Sequence, residues 1–447
     1  MVPGDRGPCH SGACAFPSTA GRSAEKEAAI AARRYAHGML ARALTGPLFF
    51  VSCSVAVGCG GGGVSIPDAA VVPGDTGAAL DAADASEAID AARGDAGSDG
   101  GSGGGLGGST GIRFVYVGRP VDLTPDGTLA VIEDPSTTTT DAYFYRVDTG
   151  ELRVVTGSGD PTQDFATGIS ADEALVALHG VPVQAGVWTQ AGGWVDLPSP
   201  FTTGCDVNVA SAWDVSSDGT SVVGMAWEDC HPAAIRWARA TDGTATAHPL
   251  DRLGSRPAGA AGMPTNRASA VADDGSLIGG FAETEMADRW PAIWHADGTG
   301  MLLPGTMLDA PGEVLAVSAD GSMVAGTWNL EAFVWTEAGG VVSLGVLPGS
   351  LGGDAAYANA IAADGALVFG GSGSLGALTA FVWTEADGMR PLADVVSAAG
   401  IDLPSGTVLQ NVVAASTDGT VILGSAATAS GATQSFVARL PLSAYGL

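Results

Sequence analysis

Between residues 112 and 447, short runs of alternating apolar and polar residues recur, with turn residues between them. Valine, isoleucine and tryptophan are common in these runs, which favours extended strands. Each unit carries one Asp at a fixed place, and in six of the seven units Gly follows it; the exception is Glu173. Asp-Gly supplies the positive φ angles of a tight turn, so each unit is predicted to contain a hairpin. The predicted turn residues are Asp126, Asp172, Asp218, Asp274, Asp320, Asp364 and Asp418.

The units share further positions around this landmark Asp. An apolar residue stands three positions before it and another four positions after it, as Val215 and Val222 do around Asp218. Fifteen to twenty residues later a third strand carries an aromatic residue, and a Gly-rich turn and a fourth strand follow. These aromatic residues are predicted to fill the core: Tyr145, Trp188, Trp237, Trp294, Trp335, Trp383 and Phe436.

Four short strands per unit, with landmarks 44 to 56 residues apart, are typical of one blade of a β-propeller. One blade cannot bury both faces of its sheet, whereas a ring of blades can. The sequence therefore predicts an all-β fold, a seven-bladed β-propeller of four-stranded blades spanning residues 112–447.

The last unit lacks room for its fourth strand, because only seven residues follow Leu440. A spare strand, Arg113–Val117, precedes the first unit. We predict that it completes the last blade, which would remove an open edge and place Val115 near Val437.

The N-terminal part has the features of a secretion signal followed by a flexible linker. Residues 1–38 form neither a domain nor a signal and are predicted to precede the true start of translation or to be disordered. Residues 39–59 are predicted to be a signal, with an apolar run that ends in a lipobox at Cys59, the residue expected to be lipidated. An ordinary cleaved signal and a competing lipobox ending at Cys53 remain alternatives. Residues 60–111, rich in Gly, Ala and Asp, are predicted to be a disordered linker.

The composition narrows the class of partner. The chain has 447 residues and a formal charge of -29, with 46% hydrophobic and 15% charged residues. It can bury a sizeable core, but its acidity disfavours nucleic acid and charge-driven docking on anionic lipid. Contact with a membrane is expected through the lipid anchor only, and the chain is expected to be a monomer.

Two of the six cysteines lie within the repeats, namely Cys205 and Cys230. In the register of the blades both fall on the face opposite the landmark turns. In an oxidising compartment they are predicted to form a disulfide, worth about 3 kcal/mol on the entropic model.

The stretch Val342–Gly353, the segment Ala360–Gly365 and the run Ala380–Trp383 resemble the bacterial extracellular HAF-repeat family. The resemblance covers roughly residues 112–447. The His of the family's His-Ala-Phe run is absent, since Glu331 and Thr379 stand in its place. The resemblance implies secretion and a propeller-like repeat, but no established reaction, so no catalytic residue is carried over.

Two long insertions, Leu253–Asn266 and Val395–Leu409, are predicted to lie on the face opposite the landmark turns. Insertions on a rigid scaffold are favoured places for binding, although tolerated drift would also explain them. On the same face, Glu228, Asp229 and His231 are weak candidates for a cation site, and Glu283, Glu285 and Asp288 occupy the equivalent loop one blade later. Ca²⁺ would be the ion, since it prefers several oxygen ligands; no other cofactor is expected.

The pattern favours a secreted lipoprotein on the cell surface or outer membrane, whose propeller acts as a binding or scaffold module for a glycan or a protein. The rival hypothesis is a secreted propeller enzyme, lyase or glycosidase-like, that acts on polysaccharide. Such an enzyme would need paired carboxylates, or a base such as Tyr357, converging in a deep pocket.

Overall fold

The computed structural model describes residues 104–447 except 116–117, 135–140, 156–164, 180–183, 203–208, 257–258, 287, 306–309, 351–352 and 375–376. The predicted signal, the lipobox at Cys59 and most of the predicted linker lie outside the described residues, as does Cys205.

Seven antiparallel sheets of four strands make up this part of the chain. Blades 1 and 2 contain β2 (Arg119–Leu123), β3 (Leu129–Asp134), β4 (Asp141–Arg146), β5 (Leu152–Val155), β6 (Phe165–Ile169), β7 (Leu175–His179), β8 (Gln184–Thr189) and β9 (Gly193–Asp196). Blades 3 and 4 contain β10 (Ala210–Val215), β11 (Ser221–Glu228), β12 (His231–Arg239), β13 (Ala245–Pro249), β14 (Asn266–Val271), β15 (Leu277–Ala282), β16 (Trp290–His295) and β17 (Gly300–Leu302). Blades 5 and 6 contain β18 (Gly312–Val317), β19 (Met323–Trp328), β20 (Glu331–Thr336), β21 (Gly340–Gly345), β22 (Ala355–Ala362), β23 (Leu367–Ser374), β24 (Ala377–Thr384) and β25 (Gly388–Pro391).

Blade 7 closes the ring with strands from both ends of the propeller. It contains β26 (Val408–Ala415), β27 (Val421–Ala427), β28 (Thr433–Arg439) and, as its outer strand, β1 (Gly111–Val115). Arg113 pairs with Val437 in an antiparallel register. The inner strands of successive blades contact one another, and β2 also contacts β26. The predicted seven-bladed propeller and its closing strand are confirmed.

The core consists of apolar layers between neighbouring blades. Trp237, Trp294 and Phe436 are fully buried, and six of the seven predicted core aromatics are buried; Trp383 is partly buried. Leu106 is also buried, and its N–H donates to the Val147 carbonyl. The packed body therefore begins before Ile112.

All seven landmark turns join a first strand to a second strand. The residue after Asp has positive φ in every unit, including Glu173 at 62°, where the other six have Gly. In six units its N–H donates to the carbonyl three residues earlier. Blade 6 differs, because Ala363 and Asp364 also have positive φ there. The prediction of a turn is thus correct at each landmark, although in six units only the residue after Asp needs the left-handed region.

Two short helices lie near the end of the chain, α1 (Leu392–Ala398) and α2 (Leu442–Tyr445). Val395 and Val396 are buried in the same cluster as Tyr445, whose ring meets Phe369 edge to face. The first part of the predicted insertion Val395–Leu409 therefore builds the core between blades 6 and 7.

Candidate functional site: the axial cavity and the loop face

Each inner strand has a β-bulge at the same place, five residues before its landmark Asp. A bulge re-aims the side chains that follow it. The cavity on the axis is lined mainly by residues three to five positions before each landmark and has a volume of about 200 Å³. We call the end with the landmark turns the turn face and the opposite end the loop face.

On the turn face, the residues just before the landmarks form a hydrogen-bonded rim. Backbone N–H groups donate to the next blade's carbonyl at five places, for example Ser217 to Asp273 and Thr417 to Pro125. Pro125 has no N–H, so it cannot donate such a bond from blade 1 to blade 2. The Thr417 hydroxyl also donates to Asp273 Oδ2 across the axis at 3.1 Å. This contact narrows the cavity at the turn face.

Two carboxylates link neighbouring blades inside the cavity. Asp122 of blade 1 accepts the N–H of Leu123 at 2.8 Å and that of Ile169, in blade 2, at 2.9 Å. Asp214 of blade 3 accepts the N–H of Val215 and that of Val271, in blade 4, each at 2.8 Å. We call these two arrangements the inter-blade clasps.

Burial at the cavity raises the pKa values of its carboxyl groups. Burial raises the pKa of Asp122 to about 7, against the backbone hydrogen bonds that lower it. Burial, and then the charge of Asp122, raise the pKa of Asp214 well above its ordinary value. Asp273, nearer the rim, also has a raised pKa because of burial. Among the described side chains, no Arg or His forms an ion pair with any of the three.

Glycine makes room between the clasps. In blade 2 the position equivalent to Asp122 and Asp214 is Gly168, and a Cβ there would lie 3.1 Å from Asp214 Oδ1. The corresponding residues of blades 4 to 7 are alanines: Ala270, Ala316, Ala360 and Ala414. Blades 5 to 7 add Leu315, Ile361 and Val413 to the wall. The cavity is therefore acidic on one side and mostly apolar on the other.

A buried ionic cluster lies between blades 4 and 5. Glu313 pairs with Arg267 and, at 2.6 Å, with Arg289, and its Oε1 accepts the Ser269 hydroxyl at 2.8 Å. The Arg267 guanidinium lies 4.0 Å from the centre of the Trp213 ring. Burial opposes ionisation, but the two arginines outweigh it and hold the pKa of Glu313 below its ordinary value.

On the loop face, the insertion Leu253–Asn266 is anchored at its base. Arg252 pairs with Glu228 at 2.9 Å, and Arg256 pairs with Glu283 at 3.1 Å. The Asn266 side chain accepts the N–H of Leu253 and donates to its carbonyl. Residues 259–262 at the tip are exposed. The insertion is thus a loop with a fixed base and an exposed tip.

The candidate cation ligands lie beside this insertion. Glu228 faces Arg252, and the His231 ring packs closely against Gly262. Asp229 and Cys230 form the turn between β11 and β12, both with positive φ. Within the described ranges, no three His, Cys, Asp or Glu side chains are grouped so that they could hold a metal ion. A Ca²⁺ site at Glu228, Asp229 and His231 stays a prediction.

Cys230 is disulfide-bonded. Because Cys205 is outside the described residues, the pairing of Cys205 with Cys230 stays a prediction.

Tyr357, the candidate base of an enzyme, packs in an apolar cluster with Ala355, Leu378 and Leu315. Burial raises its pKa, which makes the phenol a weaker candidate for proton abstraction. The carboxylates that the fold does bring together are Asp122 and Asp214, which the sequence analysis missed. An alignment of the seven units could have revealed them, since only two units have Asp four residues before the landmark.

No protein-family model matches this chain, and no curated protein does so either. Among solved structures, the chain is similar to the β-propeller domain of Cps50 (Swd1) from Myceliophteria thermophila, with 9% identity, a TM-score of 0.47 and coverage of 74% of this chain and 100% of that one. Virginiamycin B lyase from Staphylococcus aureus gives 12% identity, a TM-score of 0.47 and coverage of 74% of this chain and 99% of that chain. TolB from Acinetobacter baumannii gives 14% identity, a TM-score of 0.38 and coverage of 62% of this chain and 61% of that chain. These likenesses concern the fold alone.

Proposed function

We propose that this chain is a secreted, lipid-anchored binding or scaffold module whose propeller captures a glycan or a protein partner at the loop face. The observation that carries the proposal is the insertion Leu253–Asn266. Two ion pairs and the Asn266 side chain fix its base, while its tip at residues 259–262 is exposed. A loop whose base is fixed loses less entropy on binding than a wholly free loop, which favours recognition.

Three features support the extracytoplasmic part of the proposal. The motif ending at Cys59 resembles a lipobox, the following tract has the composition of a flexible tether, and a disulfide at Cys230 suits an oxidising compartment. The repeats resemble those of the HAF-repeat family, which is extracellular. No helix in the described part of the chain combines the length and apolar character needed to cross a bilayer.

A glycan and protein array, probed with the chain from Gly60 onward with and without calcium, tests the binding proposal. We expect a ligand whose capture is lost when Ala260 and Ala261 are both replaced by Asp. The matched control replaces Ala191 and Ala338 with Asp, since both are exposed in turns on the turn face. Equal loss in both variants, or no ligand on either array, would count against the loop face as the binding surface.

A second function is favoured by one observation. Asp122 and Asp214 both line the axial cavity and both have raised pKa values, and pairs of carboxyl groups serve acid–base chemistry on polysaccharides. Assays on neutral and uronate-containing polysaccharides, with wild type and Asp122→Asn, separate the two functions. Turnover that the variant abolishes would establish the enzyme, whereas capture without turnover would support the binding module.

A further inference from the structure

The seam between blades 1 and 2 is one of two seams that lack the rim hydrogen bond among the described residues. Pro125 cannot donate the bond that five other blades provide. The Asp122 carboxylate instead accepts the Ile169 N–H across this seam. Asp214 does the same two blades later for Val271. At the seam between blades 1 and 2 the carboxylate link replaces the missing rim bond, whereas the seam between blades 3 and 4 has both a rim bond and a carboxylate link.

We propose that Asp122 and Asp214 form a proton-sensitive pair of inter-blade clasps, in which uptake of one shared proton tightens the seams of blades 1–2 and 3–4. The two side chains lie on either side of Gly168, at equivalent positions of blades 1 and 3. When both are ionised, their charges repel each other across this gap. One proton on an Oδ1 atom removes the repulsion. It costs that carboxyl the bond from the adjacent Leu123 or Val215 N–H, but the Oδ2 atoms still accept the inter-blade N–H groups of Ile169 and Val271.

The charged groups around the clasps do not neutralise them. Asp273 faces both carboxylates from blade 4 and adds repulsion, and Asp274 acts on Asp273. The other charged or titratable residues of the strands packed against β2 and β10 pair elsewhere or stand away from the clasps. Three ion pairs account for the arginines: Arg119 with Glu133, Arg267 with Glu313, and Arg439 with Asp148. The remaining residues, Asp134, His179 and Glu228, stand at the loop-face ends of their strands.

The direction of the pH effect follows from the sign of the shift. The pKa of Asp122 is raised to about 7 in the folded chain, so the folded state binds more protons than the unfolded state between about pH 4 and pH 7. The stability from this group is complete below its unfolded pKa and is lost as the pH rises through about 7. The proposal concerns the cavity wall and needs no ligand, so its failure would leave the proposed binding function standing.

The first test measures amide hydrogen exchange in the wild-type chain at about pH 8 and about pH 5.5, corrected for intrinsic exchange rates. We expect the protection of the Ile169 and Val271 amides to rise at least severalfold at the lower pH. The amide of Ser221, which donates to Ser216 Oγ at a landmark turn, is the internal control and should not change. Equal protection of Ile169 and Val271 at both pH values would overturn the proposal.

The second test follows the urea midpoint over the same pH range. In wild type it should rise as the pH falls, and in Asp122→Asn or Asp214→Asn most of this rise should disappear. Asp320→Asn is the matched control, because hydrogen bonds from Ser322 lower the pKa of Asp320 and keep it from titrating in this range. If the variants do not fold, proton release on unfolding wild type at about pH 6 decides instead. Unfolding at this pH without net release of a proton would contradict the proposal.

Discussion

The Thr417 hydroxyl and the Asp273 carboxylate, three blades apart in the ring, are joined by a hydrogen bond of 3.1 Å across the propeller axis. Neighbouring residues of the rim are hydrogen-bonded through their backbones. At a spacing of about 5 Å between such neighbours, seven residues give a ring about 11 Å across. The Thr417–Asp273 contact crosses this ring, so this end of the cavity is narrow because of backbone geometry as well as side-chain size.

Replacing Thr417 with Val should remove the cross-axis bond without changing the side-chain volume greatly. We expect a loss of about 1 kcal/mol of unfolding free energy. The pKa of Asp273, raised by burial and lowered by the Thr417 hydrogen bond, should rise further. Urea unfolding and carbon-13 titration of Asp273 measure the two effects. Thr417→Ser retains the hydroxyl and should behave like wild type; a loss as large as that of Thr417→Val would contradict this account.

The landmark turns offer a pair of opposite substitutions. In blade 3 the Ser216 hydroxyl donates to Asp218 at 2.7 Å and accepts the Ser221 N–H at 2.9 Å. Ser216→Ala leaves that buried N–H without a partner and should cost about 1 to 3 kcal/mol.

Blade 4 has Ala272 at the position equivalent to Ser216. Ala272→Ser supplies a hydroxyl for Asp274 and for the Leu277 N–H, and we expect a gain of about 1 kcal/mol. Thermal and urea unfolding of both variants check the pair. Two changes of the same sign would show that the hydroxyl does not hold the turn.

The turns, the strands and the ring closure could be predicted from the sequence because each depends on local residue chemistry. The interval between landmark residues sets the blade, and the missing fourth strand of the last unit points to β1. Glu173 shows the limit of the local signal, because it adopts φ 62° where six other units have Gly. There the fold of the repeat imposes the turn on a residue that does not favour it.

The site is less visible in the sequence than the fold. Asp122 and Asp214 are 92 positions apart in the sequence. Their charges can act on each other only because the bulges and the ring of blades bring both residues to the wall of the axial cavity. Similarly, Glu228 is a predicted cation ligand, and its ion pair with Arg252 was not predicted from the sequence. Both arrangements depend on contacts between residues that are far apart in the sequence, which a search for local motifs does not reveal.

The Arg267–Glu313 pair should show strong coupling. Breaking a buried pair leaves one charge uncompensated, so Arg267→Met or Glu313→Gln alone should cost about 3 to 5 kcal/mol. The double variant should cost clearly less than both losses combined, which a double-mutant cycle by urea unfolding measures. Additive losses would mean that the pair does not act as a unit. The Arg289–Glu313 contact adds to the effect of Glu313→Gln.

Deleting the closing strand should open blade 7. A chain that begins at Arg119 lacks β1 and leaves the edge of β28 unpaired, which should lower the melting temperature and promote self-association. A chain that begins at Gly104 retains β1 and Leu106 and should match the chain from Gly60. Light scattering after size exclusion and thermal melting compare the three. If the chain from Arg119 is as stable and monomeric as the others, closure by β1 is not needed.

Tyr445, in α2, provides a test in which removing a polar group is harmless. Its side chain is fully buried and its ring contacts Phe369, but its hydroxyl has no hydrogen-bond partner among the described residues. An unpaired buried hydroxyl costs free energy, so Tyr445→Phe should leave the unfolding free energy unchanged or raise it by about 1 kcal/mol. Tyr445→Ala instead removes the ring and should cost about 3 to 5 kcal/mol. Urea unfolding separates the two substitutions. A large loss in Tyr445→Phe would indicate that an ordered water or another group satisfies the hydroxyl, since only a bonded hydroxyl contributes stability that Phe cannot replace.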